Sequence, residues 1–317
     1  MFYFFILTFL ALIFLLISGD LLVKGAVGVA ERLGVPKLIV GLTIVAFGTS
    51  APELVISVRA VLDGVSGLAI GNVIGSNIAN VLLVLGLPAV IFGLPLMECE
   101  SRRAYIIMLV STLLFLAICF FWELNRSSGA VLIILFMIVI SDNIISTQKH
   151  FAKPKLLIND IKVVDRTVLS KQILVLILGL VGLPLSANLF VDNAIHIANG
   201  FGVSEVVVGL TLVAIGTSLP ELSTMVMAII RREKEMAIGN IIGSNLFNLL
   251  AIIGISSVIG NITIPSELLQ FDLWLMAFSA VLLAPMIFKP IKLNRIWGLL
   301  FLSIYLAYLI LIINRGL

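Results

Sequence analysis

Apolar residues fall in ten blocks divided by short polar or basic stretches, at roughly residues 2–30, 38–58, 68–94, 104–122, 129–147, 172–198, 205–230, 236–262, 273–288 and 296–313. About 20 mostly apolar residues cross a bilayer as a helix. Barrel strands would instead alternate apolar and polar residues over short segments, and these blocks are continuous. The pattern predicts an all-α polytopic membrane protein with ten transmembrane helices. Composition removes the soluble alternative: 61% of residues are hydrophobic and 12% charged, whereas soluble domains carry about 25% charged residues.

The position of the charges predicts orientation, because Lys and Arg collect in cytoplasmic loops. With the N-terminus outside, the inward loops hold Arg32, Lys37, Arg102, Arg103, Lys149, Lys153, Lys155, Lys162, Arg166, Lys171, Arg231, Arg232, Lys234, Lys289, Lys292 and Arg295. The outward loops hold only Arg59, Arg126 and Arg315, and Lys24 lies within the first block. Both termini are therefore expected to be extracytoplasmic. The first block has neither a basic start nor a cleavage site of signal-peptide type, and is expected to be retained. No organelle address is legible, and the compact form points to a prokaryotic plasma (inner) membrane.

The chain is written twice. Residues 34–54 (GVPKLIVGLTIVAFGTSAPEL) and 202–222 (GVSEVVVGLTLVAIGTSLPEL) agree at 14 of 21 positions, at an offset of 168. Residues 69–80 (AIGNVIGSNIAN) and 237–248 (AIGNIIGSNLFN) agree at nine of 12 with the same offset, and Ser18 and Val23 fall on Ser186 and Val191. Chance could align Leu with Leu, but not Gly, Thr, Ser, Pro, Glu and Asn in register. Each copy holds five blocks. Five is odd, so the second copy enters the membrane from the opposite side. Two inverted five-helix repeats are a common architecture of secondary transporters, with the substrate site near the midplane. The expected organisation is a first repeat at 1–147, a basic cytoplasmic linker at 148–171 and a second repeat at 172–317.

The repeated residues have the chemistry of a cation site. Pro52 and Pro220 lack an N–H and crowd the carbonyl four residues back, which frees the carbonyls of Gly48 and Gly216. Broken helices are tolerated in a membrane where they line a cavity. Glu53 and Glu221 lie inside apolar blocks and away from their tips, and an intramembrane carboxylate is functional by default. On the next helix, Asn72, Ser76 and Asn80 are spaced four apart on one face, as are Asn240, Ser244 and Asn248. Gly71, Gly75, Gly239 and Gly243 allow a neighbouring helix to come close. Carboxylates, hydroxyls and carbonyls are the hard oxygen ligands that Ca2+ takes, six to eight at about 2.3–2.6 Å. Mg2+ wants stricter geometry, and zinc or copper would want His or Cys. Cys99 and Cys119 have no metal-ligand spacing.

The paired GTSxPE and GNxxGSNxxN motifs resemble the two alpha repeats of the sodium/calcium exchangers, within the calcium/cation antiporter superfamily. The resemblance spans the whole chain. It implies that Glu53 and Glu221 bind Ca2+ and also Na+, with backbone ligands at Ala46, Thr49, Ala214 and Thr217. It further implies hydroxyl ligands at Ser50, Ser76, Ser218 and Ser244, and closing polar ligands at Asn80 and Asn248. Some members of the family carry an acid where this chain has Asn248. The implied mechanism is exchange of Ca2+ for Na+ by alternating access, with the first and sixth helices sliding across the rest. Ca2+ and Na+ are then substrates; no cofactor and no nucleic acid are expected.

A buried carboxylate can also carry a proton, so Ca2+/H+ antiport stays open as the alternative, although GTSxPE is worded like the sodium-coupled branch. A passive channel fits inverted halves less well. An intramembrane enzyme would need a nucleophile and base, and His150 and His196 are scattered. Asp20 and Lys24 are expected to pair at i,i+4. Asp142, Asp192, Glu205 and His196 are expected near helix ends, and Met225 and Met227 as packing residues.

Overall fold

The computed structural model describes residues 2–93, 101–151, 166–201, 214–289 and 291–316. Cys99, Glu205 and most of the 148–171 linker lie outside the described residues. The helices are α1 (Phe2–Leu33), the bent pair α2a (Lys37–Thr49) and α2b (Ala51–Leu62), α3 (Ser66–Phe92), α4 (Arg102–Phe121) and α5 (Arg126–Phe151). There follow α6 (Arg166–Gly200), α7a (Ala214–Thr217), α7b (Leu219–Ile230), α8 (Lys234–Ile259), α9 (Leu268–Phe288) and α10 (Arg295–Gly316).

Eight helices among the described residues are long and apolar enough to cross a membrane, and the bent pair makes a ninth. The remaining predicted block, 205–230, is described only from Ala214 onward. The chain is an all-helical polytopic membrane protein.

Burial sorts the helices into a centre and a periphery. The apolar windows of α3 and α8 are 72% and 89% buried, against 33% for α1 and α6 and 28% for α10. The helices that carry the Gly-Asn-x-x-Gly-Ser-Asn motifs therefore form the middle of the molecule. α1 and α6 lie along each other outside it, backbone against backbone. A Cβ on Gly25 would stand 2.4 Å from the Leu176 nitrogen, and one on Gly179 would stand 2.3 Å from the Leu22 nitrogen.

α8 also packs closely against α2a. A Cβ on Gly239 would meet the Leu38 carbonyl oxygen at 2.5 Å, and one on Gly243 the Leu42 oxygen at the same distance. The expected glycine contact therefore forms across the repeats: the third helix of the second repeat presses on the broken helix of the first. Residues 202–213, the counterpart of 34–45 in the second repeat, lie outside the described residues.

The sequence-level pattern does not reveal the π-helical turns at Gly41–Val45, Asn80–Val84, Phe247–Ile252 and Leu268–Asp272. Such turns are frequent at functional sites, and two of them contain Asn80 and Asn248.

Within α1, Asp20 pairs with Lys24 at 2.8 Å, as expected, and also with Arg231, which ties α1 to the turn after α7b. Lys37 bridges Glu31 at 3.2 Å and Glu233 at 2.9 Å. Arg103 pairs with Asp142 between α4 and α5. The His196 ring stacks on Phe4 at 4.6 Å, and Cys119 is a buried free thiol.

Candidate functional site

The proline motifs break both helices in the same way. Ser50 has φ −89°, ψ 6°, and Ser218 has φ −88°, ψ 0°. This is the sparsely populated bridge region in which many active-site residues sit. The first break bends the α2 pair by 46°. Pro52 and Pro220 stand in the first turn of the half-helix that follows, where a missing N–H costs least.

The break corrects one expectation. Glu53 and Glu221 are mid-chain within their blocks, but each stands in the first turn of its own half-helix, α2b or α7b. The unsatisfied N–H groups and dipole of a helix N-terminus favour negative charge there. Both glutamates are 1% exposed.

The repeats meet at these breaks. The Ser50 hydroxyl, which caps nothing in its own helix, donates to Glu221 Oε1 at 3.1 Å. Thr49 Oγ1 lies 3.3 Å from Asn240 Oδ1 and 3.4 Å from Ser244 Oγ, both on α8 of the other repeat. A cavity of about 90 Å3 is lined by Pro52 and Ile56 of one motif helix, by Gly216, Thr217 and Pro220 of the other, and by Pro184, Asn188 and Asp192 of α6. Asp192, expected merely near a helix end, thus faces the same space as both prolines.

Burial without partners marks the remaining candidates. Both carboxylate oxygens of Glu53, Oε2 of Glu221, the hydroxyls of Ser76 and Ser218, and Oδ1 of Asn80 and of Asn248 are buried and accept or donate no hydrogen bond. A buried polar group without a partner costs several kcal/mol (roughly 2–7). Single hydroxyls at Thr8, Ser101, Thr224, Ser256 and Ser257 share the condition, but unpartnered carboxylates occur only at the two motifs among the described residues. The Ala46 carbonyl is already engaged, accepting from the Ser50 N–H at 3.0 Å and from Thr49 Oγ1 at 3.4 Å. Ala214 opens α7a.

Three asparagines that sequence reasoning left out of the ligand set also belong to this centre. Asn72 donates to Ser57 Oγ at 3.0 Å and to the Glu53 carbonyl at 3.3 Å, so it braces α2b. Asn77 and Asn245 hold Asn248 and Asn80, at 3.0 and 3.1 Å. Their signal was the Asn that follows Ser in both copies of Gly-Ser-Asn. No group of three or more His, Cys, Asp or Glu side chains converges among the described residues, which leaves two acids surrounded by neutral oxygens.

Residues 3–141 and 171–314 match the family described as sodium/calcium exchanger protein. The chain belongs to that family. As a cation/Ca2+ antiporter it is similar to the sodium/calcium exchanger MaX1 of Methanosarcina acetivorans, 30% identical over 97% of this chain and 98% of the relative. It is 35% identical to the inner membrane protein YrbG of Escherichia coli (strain K12), over 80% of this chain and 79% of the relative. A solved structure of the sodium-calcium exchanger NCX_Mj superposes with a TM-score of 0.81 at 30% identity, covering 95% of this chain and 96% of that one. The antiporter therefore has the fold of NCX_Mj built on two exchanger repeats, and it is not an enzyme.

Proposed function

We propose that this antiporter exchanges Ca2+ for Na+ by alternating access at a midplane site made by Glu53 and Glu221. One observation carries the reading: of twelve buried side-chain oxygens without hydrogen-bond partners among the described residues, seven come from the repeated motifs, they come from both copies, and they include every such carboxylate oxygen. Oxygens in that state suit a desolvated hard cation. Thr49, Thr217, Ser50, Ser244 and the backbone at Ala46 and Ala214 complete the proposed ligand set, the Ala46 carbonyl joining as the Thr49 hydroxyl, now 3.4 Å away, turns from it. Two carboxylates neutralise one Ca2+ or two Na+. An unloaded site would carry two unbalanced charges through the transition, which opposes empty return and enforces exchange.

The bundle of α1 and α6 is the proposed moving part. It packs outside the buried centre, and α6 lines the cavity shared by both prolines. The proposed repeats span 1–147 and 172–317, joined by the linker 148–171. We place the protein in the plasma (inner) membrane with both termini extracytoplasmic. The charge distribution in the loops supports that orientation, and the E. coli relative is named as an inner membrane protein.

Proteoliposomes loaded with radioactive Ca2+ test the counter-ion. Release is expected on adding external Na+ at constant pH, and not on a pH step without Na+. Equal release by the pH step would replace this reading with Ca2+/H+ antiport, and release without any counter-ion would indicate a channel.

Asn248 offers a test of the charge balance. Asn248→Asp raises the formal site charge from two negatives to three, so a Ca2+-loaded site keeps one net charge. Moving one elementary charge across a membrane potential is worth about 2.3 kcal/mol per 100 mV. Ca2+ uptake by Asn248→Asp is therefore expected to depend more steeply than wild type on a potential imposed with K+ and valinomycin.

A further inference from the structure

We propose that Asn77 and Asn245 are positioning residues that hold the carboxamides of Asn248 and Asn80 with oxygen, and not NH2, toward the ion. The proposal rests on the paired-glutamate reading of the site. A carboxamide has nearly the same shape either way round, yet only its oxygen attracts a cation. Something must therefore decide which edge faces inward.

The deciding chain begins at a backbone carbonyl, which can only accept. Asn77 Nδ2 points to the Asn245 carbonyl oxygen at 3.4 Å, with Met276 Sδ at 3.9 Å. That turns Asn77 Oδ1 toward Asn248, whose Nδ2 donates to it at 3.0 Å. Asn248 Oδ1 is left buried and without a partner. The other half is arranged likewise, with a thioether in place of the carbonyl. Asn245 Nδ2 points to Met108 Sδ at 3.8 Å, and its Oδ1 accepts from Asn80 Nδ2 at 3.1 Å. Asn80 Oδ1 is again left buried and without a partner.

Asn77 and Asn245, Asn80 and Asn248, and Met108 and Met276 are each 168 positions apart. The two halves thus brace each other through equivalent pairs, Asn77 with Asn248 and Asn245 with Asn80. All four asparagines are at most 3% exposed, so water cannot take over the missing role. Each carboxamide aimed at the ion is held by the opposite repeat, which couples the two halves of the site.

Double-mutant cycles in proteoliposomes test this. Asn77→Leu is expected to raise the Ca2+ concentration for half-maximal exchange about 10-fold, the worth of a hydrogen-bonding group facing a charge, with a smaller change in maximal rate. In an Asn248→Ala background Asn77→Leu should add nothing further, while in an Asn80→Ala background its full effect should remain. The mirror cycle, Asn245→Leu with Asn80→Ala, should behave likewise. Asn77→Ser, too short to reach Asn248, serves if the Leu variant does not fold. Effects that add in the Asn248→Ala background would assign Asn77 to packing and overturn the proposal. Glu53→Gln is assayed in parallel. If it exchanges normally the paired-glutamate reading has failed; if it is inactive while the cycles are additive, only the positioning role has failed.

Discussion

Glu53→Gln and Glu221→Gln are each expected to abolish Ca2+-dependent exchange while the protein still inserts and folds. The amide keeps the shape of the side chain and removes one of the two charges proposed to face the ion. Breaking a buried charge pairing costs about 3–5 kcal/mol, which is at least about 100-fold in affinity. Stability should move the other way in the absence of ions. Glu53 carries two buried oxygens with no hydrogen-bond partner, whereas Glu221 receives the Ser50 hydroxyl. Neutralising Glu53 should therefore raise the melting temperature in chelator-treated detergent, and more than neutralising Glu221 does. Ca2+ is expected to raise the melting temperature of the wild type, and that rise should disappear in both variants. Normal transport by both variants would remove the glutamates from the ligand set.

The second large effect is steric. Gly243→Val should destabilise the protein and weaken Ca2+ binding together. A Cβ at Gly243 would lie 2.5 Å from the Leu42 carbonyl oxygen, 2.7 Å from the Leu42 Cα and 2.7 Å from the Ala46 Cβ. Two of those atoms are backbone and cannot rotate away, so α8 and α2a must separate. Overpacking of this kind costs about 1–3 kcal/mol. The separation would also draw Thr49 away from Asn240 and Ser244. Thermal melts with and without Ca2+ distinguish the variant from Glu53→Gln: both lose the Ca2+ response, but only Gly243→Val melts lower without ions. Unchanged melting would mean that the helices part at little cost.

Much of this protein is legible along the chain because its solvent is a bilayer. Continuous apolar blocks report spans directly, since every backbone polar group in hydrocarbon must be satisfied within a helix. The break at Ser50 is legible from Pro52, which donates no N–H to the carbonyl of Gly48. The glutamates stand out because an acid in an apolar block needs a reason. The π-helical turns at Asn80–Val84 and Phe247–Ile252 were not legible, because a single widened turn leaves no periodic trace in an apolar sequence. Asn77 and Asn245 are not marked by spacing, because they sit one position off the four-residue stripes of Ser76 and Asn80 and of Ser244 and Asn248, on a different face of an ideal helix.

The sequence by itself determined the membrane-spanning fold, the duplication and the kinds of oxygen each copy brings, because hydropathy and a fixed offset are properties of the chain alone. The tertiary structure decided which copy's groups meet: Ser50 reaches Glu221, Thr49 reaches Asn240 and Ser244, and each of Asn77 and Asn245 holds the other repeat's asparagine. Spacing fixes only the face of a helix on which a residue lies. What that face touches is set by how closely two backbones can approach, and here glycines at the α8–α2a contact let helices from opposite repeats press together.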